Sequence, residues 1–303
     1  MTLAISISNQ KGGVGKTTTA VNLSSYFAEQ GFRTLIIDLD PQGNATSGLG
    51  VDVHEEGQDV YDMFFGKVSL REILTKTVVP NLDIAPSSRD LIGLEIEIGK
   101  TPGRELILST QINLLRSRYD IIVIDCPPSS GLLSLNALGA ANGVLVPLQA
   151  EYYALEGLSA LMGTIKFVQG TFNPELSIIG VFVTMYDGRT NLSKDVLAEA
   201  KTHLGDLTFE TTVPRSIRLS ESPSHRLPIN LYDRTCAGAL AYEELSREIV
   251  ERCGLDPSAM PVEAVGVETC AAQTSTVQAV QVEGSKAPLG SIDSRGISKA
   301  VNS

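Results

Sequence analysis

The sequence lacks several features that mark whole classes of protein. Within its 303 residues no apolar run approaches the roughly 20 residues that a transmembrane helix needs. The first residues enter a strand-like apolar pattern without a basic leader, so we expect no signal peptide. The sequence shows no internal repeat. We therefore expect neither a membrane-spanning, nor a secreted, nor a repeat protein.

Cysteine, histidine and basic residues are also scarce. The cysteines are Cys126, Cys236, Cys253 and Cys270; no two of them form a C-x-x-C pair, and only three histidines could join them. A zinc site or a disulfide scaffold is therefore not expected, and a reduced cytosol fits best. The 24 basic residues face 35 acidic ones, which gives a net charge of −11. This balance argues against a globally basic nucleic-acid binder but leaves room for a local basic patch.

The composition divides the chain near residue 253. No aromatic residue follows Tyr242, and residues 254–303 are rich in small and polar residues without a sustained helical period. We predict an ordered domain over residues 1–253 and a mostly disordered tail over residues 254–303. Within the domain, strand-like runs alternate with helical patterns. This alternation predicts an α/β fold with a mainly parallel twisted sheet, helices on both of its faces, and ligands at the carboxyl ends of its strands.

The individual elements follow from the same patterns. The predicted strands cover residues 3–8, 34–39, 81–86, 121–125, 144–148 and 178–185. The predicted helices cover residues 17–30, 103–118, 155–169, 192–204 and 237–253. The run I-I-V-I-D at 121–125 is continuously apolar up to its last residue, which is typical of a strand that is buried on both faces.

A glycine-rich loop directly follows the first predicted strand and reads N-Q-K-G-G-V-G-K-T-T over residues 9–18. Its glycines let backbone N–H groups turn inward around phosphate oxygens, and the helix that follows adds its positive N-terminal dipole. The loop departs from the usual G-x-x-x-x-G-K-[ST] pattern, because Gln10 holds the first glycine position and is followed by an additional lysine. The residues expected to bind the nucleotide are Lys11, Gly12, Gly13, Val14, Gly15, Lys16, Thr17 and Thr18. Among them, Lys16 can reach the β- and γ-phosphates, and the Thr17 hydroxyl can ligate Mg²⁺.

Three aspartates lie at the ends of two predicted strands. Asp38 and Asp40 end the run T-L-I-I-D-L-D, and Asp125 ends I-I-V-I-D. We expect Asp125 to hold Mg²⁺ through a water molecule. Asp38 and Asp40 share a face of an extended segment, so one could orient the attacking water while the other supports the metal shell. Together with the phosphate loop, these aspartates indicate a magnesium-dependent nucleotide hydrolase.

These motifs resemble those of a known family. K-G-G-V-G-K-T-T, I-D-L-D-P-Q-G-N and I-D-C-P-P are similar to the motifs of the ParA/Soj/MinD family of deviant Walker-type P-loop ATPases. The ParA/Soj branch, which segregates chromosomes and plasmids, is the most similar. Residues 149–157, 187–192 and 213–224 match that branch in order. The resemblance spans roughly residues 3–250 and does not include the tail.

The resemblance implies an ATP-driven cycle with Mg²⁺ as cofactor. Family members form a sandwich dimer with nucleotide at the interface, where Lys11 would reach the partner's phosphates and Gly12 would stay small. The implied catalytic residues are Lys11, Lys16 and Asp40, and with the reasoning above the metal-site residues are Thr17, Asp38 and Asp125. A lysine that acts in trans stabilises phosphate charge only after dimerisation, as an arginine finger does. Hydrolysis would then time the dissociation of the dimer.

The resemblance also implies a DNA-binding surface. In the ParA/Soj branch the ATP dimer binds DNA without sequence preference, and Arg189 and Arg218 lie in the matching segments. Four arginines face two acids between residues 215 and 234, a local basic patch whose backbone contacts would be sensitive to salt. Pro214 and Arg215 could instead lie beside the adenine. The implied partners are non-specific nucleoid DNA, a second copy of the chain and a ParB-type centromere-binding activator, and the implied location is the cytoplasm, on the nucleoid.

Several alternatives use the same phosphate loop. A MinD-type ATPase ends in a basic amphipathic helix, whereas the last 50 residues here carry three basic residues and no aromatic one, so we expect no membrane binding. A tyrosine kinase of this type carries a C-terminal tyrosine cluster, and no tyrosine follows Tyr242. An iron–sulfur carrier needs interface cysteines, and Cys126 is better explained as a small buried residue. A cargo-positioning ATPase and a nucleotide-gated scaffold with little unaided hydrolysis stay open, as does the choice between a chromosomal and a plasmid system.

Overall fold

The computed structural model describes residues 2–52, 57–152 and 154–256. Its strands are β1 (Leu3–Ile7), β2 (Thr34–Asp38), β3 (Thr75–Lys76), β4 (Leu82–Ala85), β5 (Ile121–Asp125), β6 (Gly143–Gln149) and β7 (Ser177–Thr184). Its α-helices are α1 (Lys16–Glu29), α2 (Asn44–Gly48), α3 (Val60–Phe64), α4 (Leu94–Glu97), α5 (Ile107–Asn113), α6 (Leu132–Ala140), α7 (Ala154–Thr171), α8 (Asn191–Leu204), α9 (Ile217–Glu221), α10 (Ile229–Tyr232) and α11 (Ala237–Arg252). Short 3₁₀ turns cover Arg89–Ile92, Arg104–Leu106, Gly205–Leu207 and Ser222–His225.

The strands form one sheet in the order β3-β4-β2-β5-β1-β6-β7. Each neighbouring pair is parallel except β3 and β4, which run antiparallel at one edge. In this register Asp125 lies opposite Asp38 on one side and Ile7 on the other. The loops that follow β1, β2 and β5 therefore meet at the carboxyl edge of the sheet, where the sequence placed the ligand.

Helices cover both faces of the sheet, as predicted. Strand β5 shows why, because all five of its residues are buried and alternate ones point to opposite faces. Ile122 and Ile124 pack in one hydrophobic cluster with residues of α5 and α6. Ile121 and Val123 pack in a second cluster with residues of α1 and α11. The α/β fold class predicted from the sequence is confirmed.

One predicted helix is partly wrong, and several helices, of which α6 is the longest, were not predicted. The predicted helix over 103–118 is wrong beyond Asn113, where the chain turns toward β5. The carbonyls of Arg116 and Tyr119 contact the Thr2 hydroxyl rather than a helical N–H. Helix α6 was not predicted. Its sequence, L-L-S-L-N-A-L-G-A, is apolar around nearly its whole circumference and buries eight of nine residues, so it shows no amphipathic period.

The ordered domain extends slightly beyond the predicted boundary at residue 253. Cys253 and Leu255 pack against the core cluster on the α1 face, and the Leu255 N–H donates to the Val250 carbonyl over 3.0 Å. Residues 257–303, which make up most of the predicted tail, lie outside the described residues. A search of the described helices finds none that is both long and apolar enough to cross a membrane.

Candidate nucleotide-binding site

The phosphate loop is fixed between β1 and α1 by contacts at both of its ends. Gly13 and Gly15 adopt positive φ angles of 75° and 91°, which only glycine adopts without strain. The Asn9 side chain donates to the Pro147 carbonyl over 2.8 Å and accepts the Lys11 N–H over 2.9 Å. The Thr184 hydroxyl, at the end of β7, donates to the Val14 carbonyl over 2.9 Å. The loop is therefore already curled around a space that backbone N–H groups can line.

Lys16 lies inside this curl rather than in solvent. Its side chain is buried, and its ammonium donates to the Lys11 carbonyl over 3.0 Å. Burial lowers the pKa of Lys16, while the carboxylates of Asp125 and Asp40 act in the opposite direction. A phosphate group in the loop would give this desolvated ammonium the anionic partner that burial calls for.

Asp125 fits a magnesium ion. It lies at the end of β5 and is fully buried, and neither of its carboxylate oxygens has a hydrogen-bond partner among the described residues. Burial raises the pKa of Asp125 well above its ordinary value, the Asp38 carboxylate raises it further, and the nearby Thr17 hydroxyl opposes both. A buried carboxylate without partners is costly, and a hard cation with oxygen ligands removes that cost.

The protein does not supply a complete metal cage at this position. Over the three described ranges, no three His, Cys, Asp or Glu side chains are grouped closely enough to hold a metal ion. Mg²⁺ in nucleotide sites is commonly held by one or two protein side chains plus phosphates and water. The combination of Thr17 and Asp125 matches that arrangement.

Asp38 has a structural task that the sequence did not reveal. It is fully buried, and its carboxylate accepts hydrogen bonds from the Asp40 N–H, the Thr46 N–H and the Thr46 hydroxyl over 3.1, 2.9 and 2.8 Å. Burial raises the pKa of Asp38, and the bonds from Thr46 lower it in part. The side chain thus fixes α2 to the end of β2. Its role as a metal residue stays a prediction.

Asp40 lies two residues after the end of β2, at the same carboxyl edge of the sheet. It is largely buried, and one carboxylate oxygen accepts the Gln42 N–H over 2.9 Å. The Ser87 hydroxyl donates to the Asp40 carbonyl over 2.7 Å and so fixes the backbone of this turn against the end of β4. These two bonds fix the position of the Asp40 carboxylate. The catalytic role of Asp40 stays a prediction.

Lys11 is paired with a residue outside the phosphate loop. Its ammonium forms an ion pair with Glu151 over 2.5 Å, and the Gln149 amide donates to the other oxygen of Glu151 over 2.5 Å. Both charged side chains are more than a third exposed. Gly12 has an ordinary φ, and the nearest atom that a Cβ there would meet is Pro128 Cβ at 3.9 Å. The described part of the chain therefore leaves room for a side chain at position 12.

A cavity of about 360 Å³ adjoins the phosphate loop. Its wall includes Gly15 and Thr18 from the loop and Pro214 and Arg215 from the segment before α9. Met185 in the same wall has a φ of 52°, an uncommon conformation of the kind that collects at functional sites. The structure thus brings Pro214 and Arg215 beside the loop, and their contact with adenine stays a prediction.

Arg189 and Arg218 lie on the surface and not in the nucleotide site. Arg189 precedes α8, is 91% exposed and forms two bonds with the Asp187 carboxylate, of 2.9 and 2.7 Å. Arg218 lies in α9 and pairs with Glu221 over 3.0 Å and with Asp233 over 3.3 Å. Both side chains of the predicted DNA-binding surface are accessible, and each one is paired with acidic groups.

Several residues at the site were missed by sequence reasoning. Ser87 follows β4 and Thr184 is the last residue of β7, and both strands end at the same edge of the sheet, so the strand-end rule that found the aspartates could have found them. Thr46 lies close to Asp38 in sequence, but its bond depends on how the chain turns between them. Glu151 lies 140 residues from Lys11, and no local pattern links the two.

Comparison with known proteins agrees with this geometry. A family model described as an AAA domain matches residues 2–178. The chain is 52% identical to the chromosome-partitioning ATPase Soj of Treponema pallidum, over 81% of this chain and 96% of that protein. It is 46% identical to the chromosome partitioning protein ParA of Caulobacter vibrioides, over 82% of this chain and 94% of that protein.

A solved structure of a similar protein contains a nucleotide and magnesium. Cobyrinic acid a,c-diamide synthase from Mycobacterium smegmatis, solved with bound ADP and magnesium, is 35% identical, covers 84% of this chain and 96% of its own, and gives a TM-score of 0.74. The same synthase was also solved with a bound ATP analogue and magnesium. The phosphate loop, the buried Asp125 carboxylate beside Thr17 and the adjoining cavity fit ATP and Mg²⁺. On this evidence, the chain belongs to the ParA/Soj family of P-loop ATPases.

Proposed function

We propose that this ATPase partitions a chromosome or plasmid in the cytoplasm. ATP binding drives formation of a sandwich dimer, the dimer binds nucleoid DNA without sequence preference, and hydrolysis stimulated by a ParB-type protein releases it. The observation that carries this proposal is that Lys11, the additional lysine of the loop, is partly exposed and forms only an exposed ion pair with Glu151, outside the loop. Two relatives that match most of the chain are chromosome-partitioning proteins, which supports the biological role.

The surroundings of Lys11 and Gly12 support the dimer. Exposed ion pairs contribute about 0–1 kcal/mol, so the pair between Lys11 and Glu151 can be exchanged for a phosphate of a second copy at little cost. The fold of its own chain does not require a glycine at position 12, because a Cβ there would meet nothing closer than 3.9 Å. A glycine here suits the close approach of another backbone.

Within one copy, the described side chains divide the chemistry of ATP hydrolysis. The loop N–H groups and Lys16 bind the phosphates, and Asp40 orients the attacking water. Thr17 and Asp125 hold Mg²⁺, which neutralises phosphate charge when it is bound. Lys11 of the second copy adds positive charge to the phosphates only in the dimer, so turnover depends on association.

Sedimentation with non-specific duplex DNA tests the proposal. We expect retention with ATP and Mg²⁺ but not with ADP, and weaker retention as salt rises. Gly12→Val should bind ATP yet stay monomeric in light scattering and lose DNA retention, whereas Gly163→Ala, on the exposed face of α7, should behave as the wild type.

Each failure of this experiment has a separate meaning. ATP-dependent dimers that do not retain DNA would contradict the DNA step and indicate a cargo-positioning ATPase on a membrane or a protein scaffold. Gly12→Val dimers that form normally with ATP would contradict the sandwich arrangement.

A further inference from the structure

The two predicted DNA-binding arginines share an unusual feature, because the acids closest to them are held in place by other bonds. Asp187 accepts the Arg189 backbone N–H over 3.0 Å as well as the two guanidinium bonds. Glu221 accepts the Tyr232 hydroxyl over 3.2 Å besides its bond to Arg218. These carboxylates are therefore already oriented toward the guanidinium groups before any ligand arrives.

We propose that Asp187 and Glu221 act as built-in counterions that compete with DNA phosphates for Arg189 and Arg218. This inference rests on the DNA binding proposed above and adds its regulation. A carboxylate and a phosphate oxygen offer a guanidinium the same bidentate geometry, so the two are alternative ligands for one group. DNA therefore binds only where several phosphates displace several carboxylates at once. A single phosphate contact does not gain enough free energy to hold the protein on DNA.

The pairing of Arg189 is the more complete of the two. Both of its carboxylate contacts lie within 2.9 Å, and the carboxylate belongs to a residue only two positions away, so little chain entropy opposes the pair. The side chain is nevertheless 91% exposed, which leaves it reachable from solvent. The guanidinium is thus presented on the surface in a neutralised form.

Other arginines of the basic patch pair in a different way. Arg226 bonds to Asp52 and Arg234 bonds to Glu29, partners that lie 174 and 205 residues away in the chain. Those pairs join distant segments of the fold. Asp187 and Glu221 pair with arginines two and three positions away, so these two ion pairs join no distant segments and are the ones that can be exchanged. Arg218 has a second carboxylate, Asp233, at 3.3 Å, so the exchange is more complete at Arg189.

The magnitude follows from the exposure of the pairs. Ion pairs in solvent contribute about 0.2–1 kcal/mol, which corresponds to a change in affinity of about 1.4- to fivefold for each pair that DNA must break. Removing one carboxylate charge should also steepen the salt dependence, because the freed arginine neutralises a phosphate without leaving an acid that recruits its own cation.

Fluorescence anisotropy with a short duplex of arbitrary sequence tests the inference on the full chain, with a non-hydrolysable ATP analogue and Mg²⁺. Asp187→Asn keeps an oxygen for the Arg189 N–H but removes the charge, so the turn should stay folded. We expect tighter binding by about 1.4- to fivefold at low salt and a steeper salt slope. Glu221→Gln should act in the same direction through Arg218 but by less, because the Asp233 carboxylate stays 3.3 Å from that guanidinium.

A matched control and a double mutant separate this effect from a general change in charge. Asp206→Asn removes one exposed acid just past the far end of α8, about 20 Å from Arg189 at the 1.5 Å rise of a helix, and should change affinity less. In an Arg189→Ala background, Asp187→Asn should give no gain beyond that of the control.

The outcomes distinguish this inference from the proposed function. Wild-type retention with no gain in Asp187→Asn, or a gain that persists without Arg189, would overturn the counterion role alone. A wild-type protein that binds no DNA with the ATP analogue would overturn the proposed function. If Asp187→Asn and Glu221→Gln also bind no DNA, the counterion inference is overturned as well.

Discussion

The three aspartates at the strand ends have similar positions in sequence and different surroundings in the fold. Asp38 accepts hydrogen bonds from Thr46 in α2 and from the Asp40 N–H, Asp40 accepts one backbone N–H, and the Asp125 carboxylate accepts no hydrogen bond among the described residues. The first is built into the scaffold, the second is positioned by its turn, and the third is prepared for a cation. Single substitutions should therefore have three distinct effects.

Substitution of Asp40 should stop turnover without stopping ATP binding. We expect Asp40→Ala and Asp40→Asn each to lower the rate of hydrolysis by about 10²- to 10⁴-fold, since both remove the carboxylate that positions the water. Asn retains an oxygen for the Gln42 N–H and so controls for the shape of the turn. Single-turnover hydrolysis and nucleotide titration measure the two steps, and a normal rate in Asp40→Asn would show that the turn alone matters.

Asp125→Asn should stabilise the protein without nucleotide and weaken its use of Mg²⁺. The free energy of unfolding should rise by about 1–3 kcal/mol, because an amide in this position costs less to bury than a carboxylate. The folded pKa is raised, so the wild type should lose stability relative to the variant as pH rises from about 4 through the folded pKa. Denaturant titrations across pH measure this difference, and a constant gap would contradict it.

At the scale of elements, strand β7 depends on a glycine. A Cβ at Gly180 would meet the Phe209 ring and lie 2.8 Å from the Leu207 carbonyl, so Gly180→Ala should lower the free energy of unfolding by about 1–3 kcal/mol. Gly163→Ala in α7 meets nothing within 4 Å and should raise it by about 0.5–1 kcal/mol. Thermal unfolding of both variants provides the comparison, and equal shifts would show that the contact at β7 relaxes.

The elements also show how far sequence reasoning extends. Residues 121–125 and the phosphate loop were readable, because a buried parallel strand is a continuous apolar run and a phosphate loop has a fixed spacing. Helix α6 was not readable, because its burial on nearly all sides removes the periodicity that marks helices. The ion pair between Lys11 and Glu151 was also not predictable, because it depends on the pairing of β6 with β1 in the sheet and not on any local pattern.

At the scale of the whole molecule, the catalytic domain should function without the residues that follow position 256. We expect deletion of 257–303 to leave ATP binding and ATP-dependent DNA retention unchanged within about twofold. A second deletion that starts at Cys253 removes the packing of Leu255 on the core and should cost about 1 kcal/mol of stability. Circular dichroism and nucleotide titration of both truncations measure this, and loss of folding in the shorter deletion would contradict the predicted boundary.

The first helix joins the phosphate loop to α10, which lies between Arg226 and Arg234 in the chain, by direct bonds. Helix α1 starts at Lys16, and along its length the Asn22 side chain accepts the Ile229 N–H over 2.7 Å while the Ser25 hydroxyl donates to Asn230 over 2.8 Å. The Ile229 amide can exchange its hydrogen with solvent only when that bond to α1 opens. ATP bound at the start of α1 stabilises this helix, so ATP should slow deuterium uptake at Ile229, a backbone position far along the chain from the phosphate loop.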